Sequence, residues 1–141
     1  MKKTWPIRIF IMFLCVIMLC SVPAYAVEVR ASERIHHSAV SLSKKSDGDL
    51  SIYFSVRATG IMEKIGASSV AIQRNTDSGW VTEYTFTTDN TPALQRENWD
   101  QYSTVLTYSP LFTEKEYRAV VMIYVKDSSG TSTQQLTSKI V

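Results

Sequence analysis

The sequence has little cysteine and little histidine, and this scarcity excludes several kinds of chemistry. The chain of 141 residues contains two of each. Both cysteines, Cys15 and Cys20, lie near the N-terminus, so residues 21–141 have no disulfide, no thiolate nucleophile and no cysteine-type zinc site. His36 and His37 are adjacent, and neighbours on a strand point to opposite faces. We therefore predict no metal site and no cofactor.

The sequence also lacks a recognisable catalytic constellation. It has no G-x-S-x-G elbow, and its glycines stand singly, so no phosphate-binding loop is present. Carboxylate pairs for glycoside hydrolysis exist only in polar turns and loops, at Glu114 with Glu116 and at Glu97 with Asp100. The acidic pair Asp47 and Asp49 flanks a glycine turn but lacks the calcium-loop pattern. We predict that the chain is not an enzyme.

The first 26 residues have the three parts of a secretory signal peptide. Their features are three basic residues (Lys2, Lys3 and Arg8), the apolar run 9–20 and the small-x-small site Ala24-Tyr25-Ala26. The run is shorter than the ~20 residues that a membrane-spanning helix needs. We therefore predict cleavage before Val27 and an extracellular, secreted protein with no membrane attachment. A retained anchor and a lipidated Cys20 are the alternatives, and Leu19 disfavours lipidation.

Removal of the signal changes the charge balance. The chain carries fifteen Lys and Arg against thirteen Asp and Glu, a formal charge of +2. Three of the basic residues and none of the acidic ones lie before Val27, so the remaining chain has a formal charge of −1. This charge predicts no nucleic-acid partner.

The rest of the sequence predicts strands. Apolar residues alternate with mostly polar ones along Leu50–Ala58, which is the pattern of a strand with one face on a core. Turn signals recur about every ten residues. The predicted strands are 35–43, 50–58, 68–74, 80–87, 102–108, 116–126 and 131–140. We predict an all-β domain over residues 35–141, an antiparallel sandwich of about seven strands, after a flexible lead at 27–34.

Two aromatic residues are predicted to be structural. Tyr117 opens the penultimate strand after a short corner, which resembles the tyrosine corner of Greek-key sandwiches, where the ring is buried and the hydroxyl bonds to the preceding connection. An ordinary core tyrosine is the alternative. Trp80 alternates with Tyr84 and Phe86, so we place it in the core.

Four segments together resemble a family of small secreted proteins of Gram-positive bacteria. The segments are 60–67, 80–86, 103–108 and 117–121, within a resemblance that spans about residues 50–130. Members of this family carry a fibronectin type III-like or immunoglobulin-like sandwich and have no known function. The resemblance implies a Greek-key fold and secretion, and it brings no catalytic or ligand-binding residues.

The residues that the sequence does contain favour recognition of a partner at the surface of the domain. On the penultimate strand, Val120, Met122 and Tyr124 should face away from the core, as an interaction stripe or as a locally covered face. Trp99 is predicted to lie on a loop at one end of the sandwich, either as a partner contact or as a plug over the core.

The sequence thus predicts a secreted, non-catalytic binding module that recognises a protein or a surface glycan. The alternative is a secreted inhibitor or immunity-type protein that inserts residues 88–101 into a hydrolase. The identity of the partner and the oligomeric state stay open.

Overall fold

Strands account for most of the described part of the chain, which is residues 33–141 of a computed structural model. The predicted signal peptide, its cleavage at Ala24 to Ala26 and most of the predicted lead lie outside the described residues. The strands are β1 (Ile35–Lys44), β2 (Leu50–Met62), β3 (Lys64–Thr76), β4 (Gly79–Thr87), β5 (Gln95–Arg96), β6 (Trp99–Tyr108), β7 (Tyr117–Asp127) and β8 (Gly130–Thr137).

The strands form the two antiparallel sheets of a β-sandwich, which confirms the predicted fold class. One sheet has the order β1-β2-β6, and the other has the order β4-β3-β7-β8 with β5 also paired to β3. Seven strands match the predicted ones, and the two-residue β5 is an addition. No segment between residues 33 and 141 has the length and hydrophobicity of a bilayer-spanning helix.

The core follows the period-two alternation of the sequence. In β2, Ile52, Phe54 and Val56 are buried, and the residues between them are more exposed. In β7, the five odd-numbered residues from Tyr117 to Val125 are completely buried. Because consecutive strand residues point to opposite faces, the even-numbered residues of β7 form the outer face of the larger sheet.

The predicted core position of Trp80 is wrong, and a β-bulge explains the error. In the pairing of β3 with β4, Ile72 lies opposite Tyr84 but Gln73 lies opposite Thr82, so Glu83 is an extra residue. An extra residue reverses the faces of the strand on one side of it. Tyr84 stays on the side of the buried Ile72, whereas Trp80 is half-buried on the outer face.

Asp127 organises the β7–β8 turn. Its carboxylate accepts hydrogen bonds from the backbone N–H groups of Ser129 and Gly130 at 2.8 and 2.9 Å, and it pairs with Arg34 at 2.8 Å. The side-chain bond from Arg34, followed by the bond from Ser129, lowers the pKa of Asp127 from 3.8 to about 2. The turn therefore depends on an ionised carboxylate.

We expect this turn to lose part of its stability in acid. The pKa of Asp127 is lower in the folded chain than in the unfolded chain, so its contribution is present above pH 3.8 and disappears as the pH falls through about 2. Thermal unfolding of the wild type and of Asp127→Asn should differ near neutral pH and converge near pH 2. A difference that persists unchanged at pH 2 would contradict this assignment.

Candidate functional site

The connection from β4 to β6 is held against the sandwich by its own backbone and by one buried side chain. A short 3₁₀ turn, Pro92–Leu94, places the Leu94 side chain in the core with no exposed surface. The next two residues form β5, where Gln95 lies opposite Gly66 and Arg96 lies opposite Ile65. The following β6 therefore starts at a fixed position, and Arg96 has a fixed place beside it.

A groove lies on the outer face of the three-stranded sheet, next to this connection. It has a volume of about 500 Å³, and we call it the Trp99 groove. Register places its central residues side by side, because His37 lies opposite Arg57 and Arg57 lies opposite Gln101. Its principal lining residues are His37, Tyr53, Arg57, Arg96, Trp99 and Gln101.

The Arg96 guanidinium lies near two aromatic rings of the groove. Its central carbon is 5.4 Å from the ring centroid of Trp99 and 5.9 Å from that of Tyr102. Tyr102 is fixed in turn, because its ring packs edge-on against buried Phe54 and its hydroxyl donates to the Ala93 carbonyl. Cation–π contacts of this kind orient a guanidinium and leave its N–H donors available.

Trp99 lies in a strand and not in the predicted loop. It is the first residue of β6, directly after Asn98, whose φ of 58° is in the left-handed region. Its side chain remains 48% exposed, so Trp99 does not seal the core. The residue that closes this end is Leu94, which the strand pattern of the sequence does not single out.

The structure separates Trp99 from the other predicted partner residues. Val120, Met122 and Tyr124 are half-buried on the outer face of the larger sheet, beside Thr137, Gln135 and Thr133 of β8. The two sheets of a sandwich turn their outer faces in opposite directions. The predicted residues therefore form two surfaces: the Trp99 groove and the β7 stripe, defined as Val120, Met122 and Tyr124.

One end of the β7 stripe repeats the pairing of arginine with tryptophan. The Arg118 guanidinium is 4.3 Å from the ring centroid of Trp80, and its Nε donates to the Gln73 side chain at 2.8 Å. Arg118 thus has a hydrogen-bond acceptor for its guanidinium, whereas the Arg96 guanidinium has none among residues 33–141. This second pair provides an internal control for experiments on the first.

A network centred on Glu83 holds the β6–β7 connection. Arg74 pairs with the Glu83 carboxylate at 2.8 Å, and the Tyr108 and Tyr117 hydroxyls donate to it at 3.0 and 3.2 Å. The backbone N–H of Leu111 also donates to it, at 3.3 Å. The ring of Tyr117 is buried as expected, and its hydroxyl reaches the preceding connection through this shared carboxylate.

The pKa values in this network favour its charged form. Burial acts to raise the pKa of Glu83, but hydrogen bonds from Leu111, Tyr108, Arg74 and Tyr117 outweigh it and lower the pKa below 4.5. Burial, together with the nearby Glu83 charge, raises the pKa values of Tyr108 and Tyr117 to about 12. Glu83 is therefore an ionised acceptor held by neutral tyrosines, which is an arrangement that stabilises the fold.

The sequence offers other titratable side chains for catalysis or metal binding, outside the Glu83 network. These side chains lie at the surface. Glu97, Asp100, Glu114 and Glu116 are all exposed, and so are both histidines. His37 belongs to the Trp99 groove. Within residues 33–141, no three His, Cys, Asp or Glu side chains are grouped closely enough to hold a metal ion.

No family model, curated protein or solved structure matches the chain.

Proposed function

We propose that the chain is a secreted, non-catalytic binding module that recognises an extracellular partner through the Trp99 groove. One observation carries the proposal: an indole that is 48% exposed lines a groove of about 500 Å³ together with two arginines. Tryptophan and arginine are the residues that most often dominate the energy of a binding interface. A groove of this volume is also within the range of small-ligand sites, ~300–1,000 Å³.

The strand order supports the finer classification of the scaffold as fibronectin type III-like. Among the seven long strands, the first, second and fifth share one sheet, and the third, sixth and seventh share the other, as in immunoglobulin-like folds. The fourth long strand joins the third. Such a sandwich is a rigid support on which the faces and end loops are free to bind a partner.

The composition of the groove supports binding rather than acid–base chemistry. Among the described residues that line it, none is aspartate or glutamate. General acid–base catalysis and glycoside hydrolysis both need a proton-transferring group placed against the reacting bond, usually paired with a second one. Among the described lining residues, His37 provides an imidazole but no carboxyl group accompanies it, and the arginines and aromatic rings suit recognition.

The inhibitor hypothesis gains no comparable support. Its wedge, residues 88–101, includes Leu94, which is completely buried, and β5, which is paired to β3. A segment fixed in this way contributes a face to the groove instead of projecting from the domain. We therefore propose binding through the groove and not insertion into a hydrolase.

Capture from extracellular fluid tests the proposed function. Immobilised purified protein should retain a partner, and Trp99→Ala should reduce the retained amount by about tenfold or more, as truncation of an aromatic anchor does. The matched control is Trp80→Ala, which removes the same ring on the opposite face. Met122→Asp tests the β7 stripe in the same way. Trp80→Ala and Met122→Asp should both still retain the partner.

Two results would contradict the proposal. If the wild type retains nothing, the chain is not a binding module for that fluid's components. If Met122→Asp abolishes retention and Trp99→Ala does not, the partner surface is the β7 stripe.

A further inference from the structure

We infer that the Trp99 groove takes an acidic saccharide, with a carboxylate of the sugar on Arg57 and Arg96 and a sugar ring on Trp99. This inference rests on the proposed function, because it names the class of ligand for the same groove. It follows from three properties of the groove: its two arginines with no carboxylate among the described lining residues, its aromatic and hydroxyl lining, and its position on the face of a sheet.

The first property is charge. Arg57 and Arg96 both line the groove, and within residues 33–141 neither guanidinium forms a salt bridge or a hydrogen bond. The described residues that line the groove include no aspartate or glutamate to balance them. A guanidinium presents a planar set of N–H donors that matches a carboxylate in a two-point contact. Two such groups at one groove therefore favour an anionic ligand.

The contrast with the other arginines of the domain strengthens this point. Arg34 pairs with Asp127, Arg74 pairs with Glu83, and Arg118 donates to Gln73. Each of these has an acceptor within the protein, at 2.8 Å in all three cases. The Arg96 guanidinium instead lies near the rings of Trp99 and Tyr102 and has no acceptor among residues 33–141, so its N–H donors are available to a ligand.

The second property is the mixture of rings and neutral polar groups. Trp99 is 48% exposed and Tyr53 is 39% exposed, so both rings present apolar surface to the groove. Ser55, Ser103 and Gln101 also line it and supply hydroxyl and amide groups. A sugar ring has an apolar face that packs on an aromatic side chain, and its hydroxyls need donors and acceptors of this kind.

The third property favours a saccharide over a peptide. An extended peptide binds a sheet by pairing with a free edge strand. The groove lies over β2, which is paired on both sides at this level, since Ser55 lies opposite Ala39 in β1 and opposite Ser103 in β6. The backbone of β2 therefore has no free ladder groups to offer a peptide, and a strand-pairing peptide would bind at the outer edge of β1 or β6 and not over the face where the groove lies. The aliphatic side chain among the lining residues, Val56, is only 2% exposed, so it provides no pocket for an apolar anchor.

Isothermal titration calorimetry with purified protein tests the inference. The acidic probes are oligogalacturonate, a hyaluronan oligosaccharide and sialyllactose, and the neutral probes are oligogalactose, chitooligosaccharide and lactose. A glutamate-rich peptide is the third arm. We expect at least one acidic saccharide to bind about tenfold or more tightly than its neutral counterpart, because charge-assisted hydrogen bonds to arginine are lost in the neutral sugar. Raising the salt concentration should weaken that binding.

Matched variants locate the charge recognition. Arg96→Gln and Arg57→Gln should each lower the affinity for the acidic saccharide by about tenfold. The weak affinity for its neutral counterpart should stay unchanged. Arg96→Lys should give an intermediate loss, because lysine keeps the charge without the planar donor set. The control is Arg118→Gln, which removes the guanidinium over Trp80 on the opposite face and should leave binding unchanged. Circular dichroism of each variant establishes that it is folded.

Several results would overturn the inference. One is the absence of binding to any acidic saccharide, and another is equal affinity for acidic and neutral forms. The others are equal losses of affinity for Arg96→Gln and Arg118→Gln, and tighter binding of the acidic peptide than of any acidic saccharide. The capture experiment distinguishes this failure from failure of the proposed function. If Trp99→Ala abolishes capture but no acidic saccharide binds, the binding module stands and its ligand belongs to another class.

Discussion

Replacement of Gly66 by alanine should destabilise the domain far more than the addition of one methyl group usually does. Gly66 is buried in β3 with a φ of 147°, a conformation that side chains rarely adopt. A Cβ atom at this position would lie 2.1 Å from the Leu94 carbonyl oxygen and 2.8 Å from the Cα atom of Gln95. Both are backbone atoms of the segment that leads into β5 and pairs with β3, so neither can move aside as a flexible side chain would.

We expect Gly66→Ala to lower the free energy of unfolding by about 3–5 kcal/mol, which is the range for backbone strain combined with overpacking. The matched control is Gly60→Ala, because a Cβ atom there has no neighbour within 4 Å. That change should alter stability by less than ~1 kcal/mol. Urea unfolding of the two variants measures the difference, and equal stabilities would contradict the close approach of the Leu94–Gln95 backbone to Gly66.

Gly66→Ala should also affect the Trp99 groove. Gln95 and Arg96 form β5, and Arg96 reaches the groove from there. If the folded fraction of Gly66→Ala keeps its sandwich by releasing β5, Arg96 moves away from Trp99. Such a variant should lose binding even at temperatures where circular dichroism shows it to be folded.

Removal of the Tyr117 side chain should have an effect of similar size. Tyr117 is completely buried at the start of β7, and its hydroxyl donates to Glu83 at 3.2 Å. Tyr117→Ala leaves a cavity of nearly a whole ring and removes one donor from an ionised carboxylate. We expect a loss of about 3–5 kcal/mol in the free energy of unfolding, as for other large-to-small core substitutions.

Tyr117→Phe separates the ring from the hydroxyl. It preserves the packing and removes one of the donors to Glu83, which Arg74, Tyr108 and Leu111 still contact. The expected loss is about 1–2 kcal/mol, typical of one hydrogen bond to a charged group. Guanidinium unfolding of both variants measures the two contributions. A Tyr117→Phe variant as unstable as Tyr117→Ala would show that the hydroxyl, and not the ring, dominates.

Much of the fold could be predicted from the sequence because its strands are half-buried. A strand with one face on the core must alternate, and β2 and β7 do so over most of their length. Turn residues then mark where the strands end, as at Gly48, Gly79 and Gly130, which all have positive φ. Local pattern was therefore sufficient for the number and order of the long strands.

The errors arise where one residue breaks the alternation. Period two predicts Trp80, Tyr84 and Phe86 on one face, but the bulge at Glu83 moves Trp80 to the other. A bulge is favoured by tertiary contacts, here the network of Glu83 with Arg74 and the two tyrosines. No local signal in the sequence marks it. Gly66 lies outside the predicted strand 68–74 but inside the observed β3, so its close backbone approach follows from tertiary structure as well.

The groove could be predicted only in part for a related reason. The sequence predicts Trp99 on a loop, as a partner contact or as a plug over the core, and alternation along β2 places Arg57 on the outer face with Tyr53. The proximity of the groove side chains depends on strand register, because Arg57 lies between His37 and Gln101 of the two neighbouring strands. Arg96 enters through β5, a pairing of two residues that is too short for a sequence pattern.

Nuclear magnetic resonance of the indole groups tests binding in the Trp99 groove most directly. Protein labelled with ¹⁵N-tryptophan gives separate indole signals for Trp99 in the groove and Trp80 on the opposite face. On addition of the fraction retained from extracellular fluid, we expect the Trp99 signal to shift or broaden while the Trp80 signal stays in place. A response at Trp80 with none at Trp99 would contradict it.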